Sequence, residues 1–546
     1  MKSNRTILCW LMATVVLLFV AQAYAQPADP LIAKPGVAVA DTESGKVEGF
    51  IHRGIYTYRG IPYAHAARFM PPEKVAKWDG VRTTLTYGFV CEQVLPDHID
   101  DKLEFVGPHR YWLMSEDCQN LNIWTPAIND GKKRPVMVWF HGGGFTNGSS
   151  IEQPAYDGEN LSRKGDVVLV TVNHRLNVLG FLDLSAYGSK YQYSANVGIM
   201  DLVAALEWIK ANIANFGGDP SNVTIFGQSG GGGKVTTLMA TPAAKGLFQK
   251  AIVESGAVRH GMSSPDPKVT KHVAELTLKH LGLEASQVDQ LANLPYAQLN
   301  AAADKALKTA GEEMGNKGLF GPALMWAPVA DGDYIPAQPF GTAAPAQSKD
   351  VPLMIGSTLN EFPVIEFNPK THGAKNWSYE QVAAYLKEKY GDKKADEVIA
   401  AYKSAYPNMK YNEWLYIDTM FRPGSLRTAQ LKADQQGAPV YLYLFTWASP
   451  VMDGYIGSSH CMEIPFAFYN MENSVQVTGG GKDAYELADR VSQAWINFAR
   501  SGDPNNPGLP KWPAYTRQDG STMILNNPGE VRNHFDDQLM WLIAPE

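Results

Sequence analysis

Hydrophobic residues in this chain form two kinds of run. The first is short, apolar and β-branched, in several cases without alternation: Leu121 to Trp124, Val136 to Phe140, Val167 to Val172, Val223 to Phe226, Ala251 to Val253, Leu353 to Ile355 and Tyr441 to Phe445. Runs of this kind read as strands buried on both faces. The second kind recurs at three- and four-residue spacing, as in Val197, Leu202, Val203, Leu206, Ile209 and Ile213, and again in Leu487, Val491, Trp495 and Phe498. These are helices with one apolar side. Strands alternating with helices predict an α/β chain built on a mostly parallel central sheet. The series is interrupted by an Ala-, Leu- and Lys-rich stretch over about 263–349 and by another over 373–403, both expected to be helical insertions into one domain. No internal repeat or low-complexity linker divides residues 26–546.

The first 25 residues stand apart from that pattern. Lys2 and Arg5 precede an apolar run from Ile7 to Ala21, and Ala23-Tyr24-Ala25 puts small residues where a signal peptidase reads. The run is shorter than the roughly 20 residues that span a bilayer, so a stable membrane anchor is not expected. A cleaved signal peptide, a mature chain beginning at Gln26 and a secreted or periplasmic location follow as expectations. Composition adds exclusions: 45% hydrophobic and 19% charged residues describe a folded globular protein. A net charge of −7 offers no basic field for nucleic acid. Export also makes the cysteines informative. With Cys9 in the signal, Cys91, Cys118 and Cys461 remain, and a Cys91–Cys118 disulfide would contribute roughly 3–4 kcal/mol by closing the loop between them. Cys461 is read as a small buried packing residue.

Candidate chemistry concentrates in two glycine-rich segments. The buried run ending at Phe226 enters Gly227-Gln228-Ser229-Gly230-Gly231, which fits G-x-S-x-G. A serine hydroxyl is a weak nucleophile, and a sharp strand-to-helix turn holds it clear of the backbone where a base can reach it. The same glycines do not form a phosphate loop: five residues before Lys234 stands Ser229 rather than glycine, and Val235 follows in place of Ser or Thr. The second segment, His141-Gly142-Gly143-Gly144-Phe145, follows a strand. Its glycines can turn backbone N–H groups into a cavity and, with the N–H of Gly230, hold an oxyanion. No dinucleotide fingerprint or clustered metal-ligand motif appears, so no cofactor and no metal are expected.

These segments belong to a longer series: Gly60 to Ala64, Glu116 to Ile123, Asn173 to Leu176, Asn215 to Pro220, Glu254-Ser255-Gly256 and Pro328 to Gly332. In that order the chain resembles the type-B carboxylesterases, the cholinesterase-like branch of the α/β-hydrolase fold. The resemblance implies an enzyme acting on small-molecule esters through a serine, an acid and a histidine in that chain order. Gly356 to Glu361 resembles the acid loop and assigns Glu361; Gly457 to Phe466 resembles the histidine loop and assigns His460. With Ser229 they form the expected catalytic set, and Gly143, Gly144 and Gly230 the expected oxyanion hole. Arg175 and Glu116 read as partners in a structural ion pair, Asp219, Asp331 and Asp333 as turn caps, His174 as a support of the fold, and Ser255 as a neighbour of the acid. Two departures stand out. The family's elbow usually reads Gly-Glu-Ser-Ala-Gly, whereas here Gln228 removes a negative charge beside the nucleophile and Gly230 is expected to loosen the backbone donor. Two other readings stay open: a lipase acting on long-chain acylglycerols, and a non-catalytic binding protein that keeps the fold. Oligomeric state is not legible.

Overall fold

The computed structural model describes residues 30–258, 266–315, 324–362 and 373–544, and the proposed signal peptide over residues 1–25 lies outside them. Eleven strands form the main sheet among the described residues: β1 (Phe50–His52), β2 (Ile55–Pro62), β3 (Asn120–Thr125), β4 (Arg134–Phe140), β5 (Val168–Val172), β6 (Gly218–Gln228), β7 (Lys250–Glu254), β8 (Leu353–Thr358), β9 (Val440–Phe445), β10 (Ser521–Leu525) and β11 (Glu530–Asn533). Their order across the sheet is β11-β10-β9-β8-β7-β6-β4-β5-β3-β2-β1. Strands β5, β4 and β6 to β10 run parallel to their neighbours, while β3, β2, β1 and β11 add antiparallel edges. The sheet is therefore mixed but mostly parallel, as expected.

Alternation of side chains between two covered faces explains why these runs are almost wholly apolar, with Asn122, Thr171 and Thr224 as buried polar exceptions. Along β4, Val136, Val138 and Phe140 enter one apolar cluster, whereas Met137 and Trp139 enter the other on the opposite face. Each face needs its own cover. The helix Val197–Asn212 supplies Leu202, Leu206 and Ile209 to the first cluster, and Lys482–Ser501 supplies Leu487, Val491, Trp495 and Phe498 to the second.

The interruptions are helical only in part. Within 263–349 lie Pro267–Leu281 and Tyr296–Glu313, but the described residues from 324 to 345 hold no helix. Pro328, Pro336, Pro339 and Pro345 punctuate that stretch, each lacking the N–H that a helix interior needs. The second interruption contains Tyr379–Tyr390 and Asp392–Ala405.

The expected Cys91–Cys118 disulfide is not formed. Both thiols are free and buried, with Cys118 hydrogen-bonded to Cys91 and the Cys91 sulfur accepting the N–H of Leu176 at 3.2 Å. Burial pushes the Cys118 thiol well above its usual pKa, which keeps it protonated as a weak donor. The loop between them is tied down instead by the Arg68–Glu116 ion pair. Arg175 pairs with Asp201 at 2.7 Å in the interior, so Arg175 and Glu116 belong to separate ion pairs.

Candidate active site

Strand register gathers the candidate residues at one edge of the sheet. Phe140 pairs with Gly227, Gln228 with Glu254, and Glu254 with Gly356. The chain leaves these strands at neighbouring points, so the His141 turn, Ser229, Ser255 and the Glu361 loop emerge side by side. This is the carboxyl end of the parallel strands, where open α/β sheets place their sites.

Ser229 occupies the turn between β6 and the helix Gly230–Ala240 with φ 57° and ψ −125°. Such a conformation is strained for a residue with a side chain. Two backbone bonds hold it: the Ser229 N–H donates to Glu254 at 2.8 Å, and its carbonyl accepts from Gly233 at 3.0 Å. Tight packing sets the turn's sequence. A Cβ at Gly227 would lie 2.6 Å from the Phe140 carbonyl oxygen, and one at Gly231 would lie 2.0 Å from that same atom.

The glycine turn after β4 lies against this elbow. Gly143 and Gly144 have φ of +78° and +63°, and among the described residues their N–H groups donate to no protein acceptor. A Cβ at Gly230 would fall 2.1 Å from the Gly144 carbonyl oxygen and 2.4 Å from its Cα. The alanine usual at this position has no room here. Gly230 lets the elbow and the glycine turn touch backbone to backbone.

Glu361 and His460 meet across loops from β8 and β9. A single parallel bridge joins Glu361 to Ser459, and Asn360 donates its N–H to the Ser458 carbonyl at 3.1 Å. The His460 Nδ1 hydrogen-bonds Oε2 of Glu361. The other Glu361 oxygen accepts from Ser255 Oγ at 2.6 Å and from the Thr358 N–H at 2.8 Å. Ser255 is thus beside the acid, and Glu463 lies behind it, its Oε1 3.2 Å from the same hydroxyl. Burial, then the Glu361 and Glu254 carboxylates, push Glu463 well above the ordinary carboxyl range. Glu254, whose Oε1 accepts from Trp495 Nε1 at 2.7 Å, is pushed up to about 7 by burial. Sequence reasoning did not find Glu463 or Glu254, since a buried acid and a surface acid read alike.

The imidazole of His460 is enclosed by aromatic side chains. The Phe421 ring stacks at 5.3 Å and 15°, and the Phe362 ring lies 4.2 Å away. Gln228 approaches with its Nε2 3.3 Å from Nδ1 and 3.2 Å from Nε2 of His460. An atom nearly equidistant from both ring nitrogens at that range would clash within the ring plane, so the amide nitrogen rests over the ring face. The Cys461 thiol holds it there by donating to Gln228 Oε1 at 3.2 Å. Among the described residues the Ser229 hydroxyl makes no hydrogen bond to His460.

The remaining polar matches are structural. Asp331 Oδ1 accepts the N–H groups of Asp333 and Ile335, both at 3.0 Å, and Asp219 accepts that of Ser221 at 2.9 Å. Asp333 does not cap; its carboxylate takes Gln192 Nε2 and the Tyr193 hydroxyl, each at 3.1 Å. His174 donates from Nδ1 to the Arg175 carbonyl at 2.8 Å.

Comparison with known proteins identifies the architecture. The Carboxylesterase family model matches residues 36–540. The chain belongs to the carboxylesterase family. Among similar proteins, the para-nitrobenzyl esterase of Bacillus subtilis is 35% identical over 506 residues, spanning 91% of this chain and 96% of that protein. A human cocaine esterase is 32% identical over 528 residues, spanning 90% of this chain and 89% of that protein. A solved esterase from Clostridium hathewayi, described as able to hydrolyse aliphatic aromatic polyesters, superposes with a TM-score of 0.84 at 39% identity, covering 94% of this chain and 99% of that one. This carboxylesterase accordingly has the α/β-hydrolase fold and is a carboxylic ester hydrolase.

Proposed function

We propose that the chain is an exported serine carboxylesterase that cleaves neutral esters through an acyl-enzyme, with Ser229 as nucleophile, His460 as general base and acid, and Glu361 as the carboxylate that orients it. The observation carrying this reading is the Glu361–His460 hydrogen bond, formed at the sheet edge where the strained Ser229 turn also emerges. The N–H groups of Gly143, Gly144 and Gly230 are the assigned oxyanion hole. The start of the sequence, with Lys2, Arg5, the apolar run and Ala23-Tyr24-Ala25, supports export.

The chemistry follows from the roles. The ester carbonyl lies with its oxygen toward the three N–H groups. Ser229 Oγ attacks the carbonyl carbon while its proton passes to His460 Nε2, and the oxyanion is held by preorganised donors. Collapse breaks the bond to the alcohol, which leaves with that proton. Water then repeats the sequence on the acyl-serine and releases the acid. Contact between Ser229 Oγ and His460 is required at the moment of transfer, and hydrogen bonds of this type commonly tighten only with substrate bound.

The experiment is covalent labelling. A fluorophosphonate is expected to add once to the purified protein, with peptide mass spectrometry locating the adduct on Ser229. Short soluble esters should turn over faster than emulsified triglyceride; the reverse order would replace esterase by lipase, and no adduct on Ser229 would end the assignment.

Neutrality of the substrate rests on Gln228 and on the Phe362 and Phe421 rings beside His460. Restoring the family's charge with Gln228→Glu is expected to improve kcat/KM for a cationic ester over its neutral isostere by about fivefold, roughly 1 kcal/mol at a partly screened distance. An unchanged ratio would show that this position does not read substrate charge.

A further inference from the structure

Lys234 is a buried amine with no part in the chemistry above. It lies one helical turn beyond the elbow, on Gly230–Ala240, with no exposed surface. Burying an ammonium costs several kcal/mol unless partners offset it. Among the described residues its one hydrogen bond is to the carbonyl oxygen of His141, at 2.8 Å. The Phe145 ring centroid lies 5.7 Å away, at the other end of the same glycine turn.

His141 is where β4 stops and the glycine turn starts. The three residues after it have no side chains, so only backbone groups can anchor them: the Gly142 carbonyl accepts from His141 Nδ1 at 2.9 Å, and the Gly143 carbonyl accepts the N–H groups of Thr146 and Asn147. Contacts from the elbow helix fall along the turn in order. The Gly231 backbone packs on the Phe140 carbonyl, Lys234 bonds the His141 carbonyl, and Gly230 packs on Gly144. In a trans peptide the C=O and the following N–H point in opposite directions. Fixing the His141 carbonyl on the core side therefore fixes the His141–Gly142 peptide plane, and the next plane, which carries the Gly143 N–H, is tied to it through the bond from His141 Nδ1 to the Gly142 carbonyl at 2.9 Å.

We propose that Lys234 is a positioning residue for ester hydrolysis: by holding the His141 carbonyl from inside the fold, its amine sets the orientation of the oxyanion-hole donors. This rests on the oxyanion-hole reading of Gly143, Gly144 and Gly230. The surroundings suit an amine that works in either protonation state. Burial pulls Lys234 down to about 7, opposed by the carboxylate of Glu152, and both forms keep an N–H for His141. The other titratable groups facing it are His141 and His174, whose rings stack at 5.4 Å. Burial, then charge nearby that includes Lys234, pushes both histidines well below their usual pKa, so they stay neutral and do not compete as cations. Their Nδ1 atoms already face backbone carbonyls of Gly142 and Arg175, which leaves Lys234 as the side chain reaching the His141 carbonyl.

The test compares wild type with K234M, which keeps length and removes the donor. Fluorophosphonate titration first counts the sites able to react at Ser229, and kcat is then expressed per titrated site. K234M is expected to lose roughly 10- to 100-fold in kcat with KM within about threefold, the range for a reacting group misplaced by about an ångström. A neutral trifluoromethyl ketone places a hemiketal oxygen in the oxyanion hole, and its affinity should fall by the same factor. A purely structural lysine would instead lower the titrated fraction and the melting temperature, leaving per-site kcat and ketone affinity alone. That result would overturn the proposal. If K234M does not fold, K234S, with a small hydroxyl too short to reach His141, carries the same expectations. Wild type that cannot be titrated at Ser229 would overturn the function reading itself, whereas titratable wild type with an unaffected variant would overturn only the role of Lys234.

Discussion

Ser229→Ala is expected to lower kcat by on the order of a million-fold and to leave the fold intact. The substitution removes a single oxygen. The strained backbone at φ 57° and ψ −125° is carried equally by alanine, and the two backbone bonds to Glu254 and Gly233 involve no side-chain atom. The hydroxyl makes no hydrogen bond among the described residues, so no buried partner is orphaned. Melting temperature should therefore move by no more than about 2 °C, since the lost contacts are worth a small fraction of 1 kcal/mol. In stopped-flow single turnover the wild type should release a stoichiometric burst of alcohol as the acyl-serine forms; the variant should show none. A residual rate above that of water, about a thousandfold or more, should persist because the glycine turn and the substrate contacts remain. A surviving burst would place the nucleophile elsewhere.

What made the sheet legible is that its central strands have both faces covered, so β4 is apolar from Pro135 to Phe140 and β5 is apolar but for Thr171. The edges follow different rules. Strand β11 is exposed at Glu530 and Asn533, and β1 is half-buried throughout, so neither has a run to detect. Local sterics made the elbow readable, because close backbone approach at Gly227 and Gly231 demands glycine there. The acid cluster was hidden for the opposite reason. Glu254, Glu463 and Lys234 are buried only because distant segments fold over them, and nothing in their neighbouring residues announces it. The cysteines show the same limit: the expected Cys91–Cys118 disulfide is absent, because a thiol pair joined by a hydrogen bond and one sealed by a disulfide look identical in sequence.

Glu361→Gln carries the second-largest expected effect, a loss of about 10⁴-fold in kcat with KM little changed, because it alters one proton's location and almost no volume. The carboxylate now accepts from three sides: His460 Nδ1, Ser255 Oγ and the Thr358 N–H. An amide can still accept from Ser255 and Thr358 through its oxygen. That choice turns its NH₂ group toward His460 and makes Nδ1 the acceptor, so the proton moves to Nε2, the nitrogen that must take one from Ser229. The opposite flip restores Nδ1–H but drives the amide hydrogens against the Thr358 donor, which is worse. Either way the base is lost while the nucleophile and the oxyanion donors stay in place. Fluorophosphonate should then label Ser229 at a rate reduced in step with kcat, and the double variant with Ser229→Ala should be no slower than Ser229→Ala alone, since the groups act as a unit. Glu463 supplies the decisive control. It shares the Ser255 hydroxyl with Glu361 but is held protonated by burial and by its neighbours. Glu463→Gln, which replaces a neutral acid by a neutral amide, should retain most activity, and a reversal of these two effects would transfer the orienting role from Glu361 to Glu463.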